Sequence, residues 1–359
     1  MTPMIARFKH CLAVLVLVAV VFRADAGGLW ATPEEIADLP TSGPAWEALH
    51  RIARASTGPV DLSDKDARSN VRVFAKALVA VRTGDPSLRA EVVTALRKVR
   101  GTEVGARVLA VARELPAYIL AADIIDLTGD DRLRFEQWLR TLLRREFRGG
   151  SIIEIHERRP NNWGTHAGAS RIAIALYLDD TAELARAVQV FRGWLGEPDG
   201  YRDFVFGARH WHPENRDTAG INPPGATRGG KNLDGVLPDD LRRAGPFDWP
   251  PPRENYVYEA LQGAVTQAQL LARAGYKAWS WGDQALFRAV FWLHGVAQYP
   301  ARGDDTWIPY LVNFAYCSGF PVMTPSRPGK ALGFTDWTHP PGVCRPDAHV
   351  RPTVLNPGG

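Results

Sequence analysis

The stretch Val104–Leu127 reads VGARVLAVARELPAYILAADIIDL. Its apolar residues recur three to four positions apart, which is the spacing of a helix that packs against a core. Alternation of apolar and polar residues, which is typical of a half-buried strand, is scarce in the chain. The stretch therefore predicts an α-helix, and its neighbours extend this prediction to an all-α fold.

Helical spacing recurs in further stretches, and turn or capping residues such as Thr128-Gly129-Asp130 separate them. These stretches are Val71–Val81, Leu88–Val99, Arg132–Phe147, Asn162–Tyr177, Thr181–Leu195, Asn255–Ala274 and Gln284–Gln298. Consecutive helices joined by short turns are antiparallel neighbours, so they either stack as a solenoid or curl into an α/α toroid. Because no repeat of fixed period is present, we predict the toroid, an incomplete barrel of helical hairpins.

The first 26 residues have the features of a secretory signal peptide. A basic start precedes the apolar run Cys11–Phe22, and Ala24-Asp25-Ala26 offers a small-residue cleavage site. The run is shorter than the roughly 20 residues that a membrane span needs. We therefore predict export to the periplasm or the medium, with cleavage, rather than a membrane anchor.

Residues 27–359 contain no Ser/Gly linker or charge block, which favours a single domain. Residues 321–359 are rich in Pro and Gly, and we expect them to wrap the outside of that domain. Cys317 lies just before this part of the chain and Cys344 lies within it. In an exported protein such a pair predicts a disulfide, which on the chain-entropy model stabilises by about 3–4 kcal/mol.

Charge and composition limit the class of partner. The 359 residues are 45% hydrophobic, which is the composition of a soluble protein with a full core. Without the first 26 residues, 40 Lys and Arg stand against 38 Asp and Glu, a formal charge of +2. This balance gives no case for binding nucleic acid or an anionic membrane, and we expect a monomer.

The segment Arg158–Ser170, RRPNNWGTHAGAS, opens one of the predicted helices. Asn161 is a good helix cap, and Trp163 and His166 are then ordinary packing residues. Capping of the helix by Asn161 does not account for the second asparagine, Asn162. Asn162 and His166 are four residues apart, so they share a face at a helix N-terminus, where the dipole favours an anion. The segment therefore predicts a site that holds a carboxylate.

The segment Gly196–Asn255 has little helical period and many aromatic, Gly and Pro residues, which is typical of a functional segment in a compact domain. Its histidines His210 and His212 flank Trp211, and Lys231 follows a Gly-Gly pair. Two histidines on one side of an extended segment are metal ligands, catalytic or substrate-contact residues, or structural residues. No third residue has the spacing expected of a metal ligand. We therefore predict a substrate site without a metal or other cofactor.

The next predicted helix begins with Asn255, Tyr256, Val257, Tyr258 and Glu259. Its tyrosines are either residues at the core edge or, beside an arginine that stabilises a phenolate, catalytic bases. The chain also holds acidic groups that could serve a glycoside hydrolase, which needs two carboxylates beside a sugar. They are Asp239-Asp240, Asp304-Asp305 and the pair Glu254 and Glu259.

Three of these blocks resemble the alginate lyase superfamily of polysaccharide lyases. They are Asn161-Asn162, the segment Asp234–Pro238 and the helix start Asn255–Glu259, and they keep the order of that family. The resemblance implies an α/α toroid that cleaves an acidic polysaccharide of uronates by β-elimination. The alternatives are a glycoside hydrolase on an α/α barrel and a non-catalytic periplasmic protein that binds acidic sugars.

Carried over by position, Asn162 matches the asparagine that binds the carboxylate, and Tyr256 matches the catalytic tyrosine. Trp163 stands where the best-known members have histidine, and Trp249 where they have arginine. His166, His210 and His212 compete to replace that histidine, and Arg242, Arg243 and Arg253 compete to replace that arginine. We predict catalytic roles for Asn162, His166, His212, Arg253 and Tyr256, and substrate contacts for Asn161, Trp163, His210, Trp211, Lys231, Arg243 and Tyr258.

Overall fold

The computed structural model describes residues 28–214, 218–243 and 245–344. The predicted signal peptide and the chain after residue 344 lie outside these residues. The described residues form α-helices and one short hairpin, which confirms the all-α prediction. The helices are α1 (Pro33–Asp38), α2 (Pro44–Arg54), α3 (Ser69–Thr83), α4 (Pro86–Val99), α5 (Val108–Ile124), α6 (Gly129–Arg144), α7 (Ile152–Arg158), α8 (Asn162–Tyr177), α9 (Thr181–Trp194), α10 (Tyr256–Arg273), α11 (Trp281–Phe291), α12 (Ile308–Tyr316) and α13 (Thr335–Thr338).

Each predicted helix is present, and all but Asn162–Tyr177 have shifted ends. Helix α5 begins at Val108 rather than Val104 because Gly101 and Gly105, both with positive φ, form a turn ahead of it. Helix α11 continues as one π-helical turn, Trp292–Val296. The helices α1, α7 and α13 were missed because each is too short to show a helical period. The apolar, largely buried helix α12 was missed as well. Helix α2 was also missed, although its pattern is amphipathic.

The helices form two layers. In the inner layer, α3 packs on α5, α5 on α8, and α8 on α10. Nearly every residue of α5 and α8 is buried, whereas α4 and α6 bury one face only and lie outside. Outer helices link successive inner helices, so the early turns of the inner helices come together at one end. This arrangement is compatible with the predicted α/α toroid.

The irregular segment between α9 and α10 carries the only strands in the described residues. Strands β1 (Thr227–Arg228) and β2 (Lys231–Asn232) form an antiparallel hairpin. The segment reaches the first turns of α8 and α10, where Asp239 and Arg243 contact α8. Its position over the ends of the inner helices makes it one wall of the candidate site.

The expectation that residues after 321 wrap the outside is wrong for part of them. Residues 331–337 are buried, and the Nδ2 of Asn70 in α3 donates to the backbone oxygen of Lys330 at 2.7 Å. The cause is the apolar sequence around α13, which joins the core. The predicted disulfide between Cys317 and Cys344 is confirmed, with a Cα–Cα distance of 5.3 Å. Among the described residues, none of the helices combines the length and apolarity that crossing a membrane requires.

Candidate active site

Three residues that are distant in sequence meet where α8 and α10 begin. Asn162 and Tyr256 are the first residues of these helices, and Arg243 comes from the irregular segment. The Nη2 of Arg243 donates to the Oδ1 of Asn162 at 2.8 Å, and its guanidinium carbon lies 4.0 Å from the centroid of the Tyr256 ring. We call these residues the Asn162–Arg243–Tyr256 cluster.

Two buried aspartates hold this cluster in place. The Nδ2 of Asn161 donates to Asp239 at 2.9 Å, and the backbone N–H of Asn162 donates to Asp240 at 3.3 Å. The same oxygen of Asp240 lies 3.9 Å from the Nε of Arg243. Burial raises the pKa of Asp240 well above its ordinary value, against the lowering effect of Arg243. Asp239 and Asp240 therefore fix the start of α8 beside Arg243.

The cluster keeps polar groups available on one side. Tyr256 is 42% exposed, and the side chain of Arg243 is 30% exposed. Within the described residues, neither the Nδ2 of Asn162 nor the hydroxyl of Tyr256 has a hydrogen-bond partner. An amide donor, a guanidinium and the N-terminus of α8 together suit an anion such as a carboxylate. The tyrosine hydroxyl lies beside that anion site.

His166 does not reach the open side of the cluster. It is 1% exposed, and its Nε2 lies 3.7 Å from the Oε2 of Glu259, which also lies 3.9 Å from the Nη1 of Arg113. Burial lowers the pKa of His166, although Glu259 opposes the shift. Burial alone would raise the pKa of Glu259, but His166 and Arg113 outweigh it and lower that pKa. The expectation of a direct substrate contact by His166 therefore fails, because Glu259 occupies its free edge.

The two other candidate histidines lie in the irregular segment. His212 is 4% exposed and packs edge-on against Phe206, with ring centroids 4.6 Å apart. Trp211 is fully buried and packs on Phe247. His210 is exposed. Trp211 is therefore a core residue, and the predicted sugar contact through its ring is wrong.

The remaining predicted residues divide into buried and exposed groups. Both ends of the Asn161 amide are used within the protein, since its Oδ1 caps α8 by accepting from the N–H of Trp163. Tyr258 is buried, and its hydroxyl donates to the backbone of Tyr299 at 2.6 Å. Asn161 and Tyr258 are thus structural, and Trp163 packs partly buried against the core.

Arg253 and Lys231 are exposed. Arg253 forms no ion pair or hydrogen bond within the described residues, so the structure brings Arg243, and not Arg253, to Asn162 and Tyr256. The ammonium of Lys231 lies 5.4 Å from the centroid of the Trp249 ring. Lys231 therefore belongs to a second surface beside the cluster.

Half of the six acidic side chains considered for a hydrolase are inaccessible. Asp239, Asp240 and Asp305 are each at least 97% buried. Burial raises the pKa of Asp305 to about 8, and Gln262 donates to it at 2.8 Å. In the part of the chain that the structure describes, no three His, Cys, Asp or Glu side chains form a group that could hold a metal ion.

Two contributors to the site were missed from the sequence. Asp240 was considered only as a hydrolase acid, and Arg113 was not considered at all. No local signal identifies them, because their contacts with Asn162 and Glu259 cross between distant parts of the chain. The pairing of Asp239 and Asp240 with Asn161 and Asn162 is visible only after folding.

The family model described as alginate lyase matches residues 70–201. The matched part runs from the first turn of α3 to just beyond α9, so it includes Asn162 but ends before Arg243 and Tyr256. No curated protein matches the chain. Over these residues the chain is similar to alginate lyases, which are polysaccharide lyases.

Proposed function

We propose that this chain, which is similar to alginate lyases over residues 70–201, belongs to their superfamily and cleaves a β-1,4-linked polyuronate of mannuronate or glucuronate by β-elimination. The observation that supports the proposal is Arg243, which donates to Asn162 and stacks on Tyr256. A carboxylate-binding amide, a cation and a tyrosine are the groups that this elimination needs. They come from three separate segments and meet at one exposed point.

The first requirement is to acidify the C5 proton of the uronate. That proton is a poor acid while the adjacent carboxylate carries its full charge. In the proposal, the Nδ2 of Asn162 and the guanidinium of Arg243 donate to the carboxylate, and the N-terminus of α8 adds its partial positive charge. These donors stabilise the enolate-like intermediate more than the substrate, which lowers the barrier.

The second requirement is a base and an acid on the same face of the sugar. In mannuronate and glucuronate the C5 hydrogen and the C4 oxygen lie on one face. The phenolate of Tyr256 takes the C5 proton, the C–H electrons form the C4–C5 double bond, and the C4–O4 bond breaks. Tyr256 then donates the proton to the leaving oxygen. The guanidinium carbon of Arg243 lies 4.0 Å from the centroid of the Tyr256 ring, so the cation is in place beside the reacting group.

The position and surroundings of Trp163 and His166 bear on the histidine of better-known members of that superfamily. Trp163 occupies its position in sequence, and His166 lies behind Glu259. We propose that Asn162 and Arg243 neutralise the carboxylate without a histidine, and that His166 positions Glu259. The activity then depends more on Arg243 than it would if a histidine also neutralised the carboxylate.

We further propose that the enzyme is exported and acts in the periplasm or outside the cell. Alginate lyases are typically secreted or periplasmic proteins. The signal-peptide pattern of the first 26 residues agrees with this location.

The test combines a substrate panel with one tyrosine variant. Purified protein is mixed with polymannuronate, polyguluronate, glucuronan and hyaluronan, and the ultraviolet absorbance of the new C4–C5 double bond is recorded. Tyr256→Phe removes only the hydroxyl, so we expect kcat to fall at least about 100-fold while polymer binding persists. Tyr276→Phe, whose ring lies against Trp281 on another part of the surface, is the matched control.

The rival functions give different results in the same assay. Release of reducing ends without the double-bond absorbance would establish a hydrolase. Polymer binding without turnover by the wild type would establish a binding protein. Substantial residual activity of Tyr256→Phe would remove Tyr256 from the mechanism.

A further inference from the structure

We infer that the β1–β2 hairpin carries a second subsite, which binds another uronate residue of the polymer held by the Asn162–Arg243–Tyr256 cluster. The inference rests on the proposed function. Its basis is a surface made of Arg228, Lys231, Phe247 and Trp249, which we call the basic aromatic ledge. In the described residues, no hydrogen bond, ion pair or ring contact joins these four residues to the cluster.

The ledge alternates cations and rings. The ammonium of Lys231 lies 5.4 Å from the centroid of Trp249, and the guanidinium of Arg228 lies 5.9 Å from that of Phe247. The two ring centroids are 6.4 Å apart with an angle of 33° between the planes. Both rings are partly exposed, and Lys231 is exposed. A sugar that rests here meets an apolar face and a positive charge together.

Contacts from behind hold the ledge in shape. The Nη1 of Arg228 donates to the backbone oxygen of His212 at 2.9 Å, and Phe247 packs on the buried Trp211. The Nε1 of Trp292 donates to the backbone oxygen of Asn232 at 2.8 Å, which anchors β2. The surface is therefore formed before any ligand arrives, which lowers the entropy cost of binding.

The ledge cations form no ion pair in the described part of the chain, although the Glu214 carboxylate accepts from the backbone N–H of Gly229 in the same hairpin at 3.4 Å. The nearby Arg242 differs, since it pairs with Asp248 at 2.8 Å. Cations held against aromatic rings without an acidic partner complement a polymer that combines sugar rings with carboxylates.

The ledge also lies within reach of the cluster. Phe247 follows Arg243 by four residues, so their Cα atoms are at most about 14 Å apart. A polyuronate that places one carboxylate on Asn162 and Arg243 continues past this point and carries a carboxylate on every residue. In the inference, the ledge binds a residue further along the chain than a trimer held at the cluster reaches, so it raises affinity for long chains over short ones.

The experiment compares a long polymer with a trimer of the uronate that the wild type cleaves. Lys231→Ala and Trp249→Ala are expected to raise KM for the polymer at least about three-fold more than KM for the trimer. Lys231→Arg keeps the cation and Trp249→Phe keeps an aromatic ring. Both variants should therefore have a KM for the polymer close to that of the wild type. Lys98→Ala removes an exposed lysine from the outer helix α4 and is the matched control.

A second readout is independent of turnover. In the Tyr256→Phe background, polymer affinity is measured by calorimetry, and Lys231→Ala should weaken it and reduce its salt dependence. Equal KM changes for trimer and polymer, or unchanged polymer affinity in both ledge variants, would overturn the inference. If the wild type binds the polymer but never cleaves it, the proposed function fails while this affinity measurement still decides the subsite.

Discussion

At the residue scale, the backbone of Arg243 explains how an arginine reaches two helix starts. Its φ is +35°, which is unusual for a residue with a side chain. Such a conformation costs on the order of 1 kcal/mol and persists only where surrounding contacts enforce it. The contacts with Asn162, Asp240 and Tyr256 supply that enforcement. The strain places the guanidinium between an amide and a phenol.

The first prediction separates the competing arginines. Arg243→Ala should lower kcat/KM at least about 100-fold, because it removes both a carboxylate donor and the cation over Tyr256. Arg253→Ala should stay within about three-fold, since an exposed cation contributes little. Arg243→Lys keeps the positive charge but loses the planar guanidinium with its paired donors. Its kcat/KM should lie between those of the two alanine variants. If Arg253→Ala is inactive and Arg243→Ala is active, then Arg253, and not Arg243, is the arginine that binds the carboxylate.

At the element scale, the site depends on the close approach of α8 and α10. A Cβ on Gly263 of α10 would lie 2.5 Å from the backbone carbon of Thr165 in α8. Gln267, one turn later, donates to the backbone oxygen of Thr165 at 2.9 Å. These helices begin with Tyr256 and Asn162, so their spacing sets the distance between the two groups.

The second prediction tests this spacing. Gly263→Ala should lower the free energy of unfolding by about 1–3 kcal/mol, because the added methyl forces the two helices apart. It should also lower kcat in the folded protein, because Asn162 and Tyr256 separate. Gly295→Ala is the control, since a Cβ there meets no atom within 4 Å. Urea unfolding and steady-state kinetics measure both effects, and unchanged stability of Gly263→Ala would contradict the account.

At the scale of the whole molecule, the inner layer buries carboxyl groups whose ionisation opposes folding. Glu114 is fully buried in α5, and neither of its oxygens has a hydrogen-bond partner in the described residues. Burial raises the pKa of Glu114 to about 9, although Arg113 opposes the shift. The folded protein therefore keeps a proton that the unfolded chain releases above its ordinary pKa of 4.5. Stability must fall as pH rises between these two values.

The third prediction follows from this fall in stability with rising pH. Each such group lowers the free energy of unfolding by about 1.4 kcal/mol per pH unit within its window. Glu114→Gln removes the proton linkage, so its stability relative to the wild type should increase from pH 5 to pH 8. Urea unfolding at each pH measures the difference. The exposed Glu146→Gln should parallel the wild type, and parallel curves for Glu114→Gln would refute the prediction.

The sequence by itself determined the fold class, most of the helices, the disulfide and the two helix starts that carry Asn162 and Tyr256. These features depend on local spacing and on residue type, which can be read along the chain. It did not determine which arginine contacts Asn162 and Tyr256. Arg242, Arg243 and Arg253 are close in sequence, and the fold of the irregular segment decides which of them reaches the two helix starts. The sequence also misplaced His166, whose helical face is correct but whose outer edge is covered by Glu259 from another helix.

Only the tertiary structure decided which polar groups stay accessible. Burial and pairing arise between segments that are far apart in the chain, as in the 81 residues that separate Asn162 from Arg243. Trp211 and Tyr258 have the residue types of sugar contacts, yet the core covers both. Local spacing fixes the direction of a side chain from its own helix or strand. The neighbours that bury it, bind it or leave it exposed are set by packing.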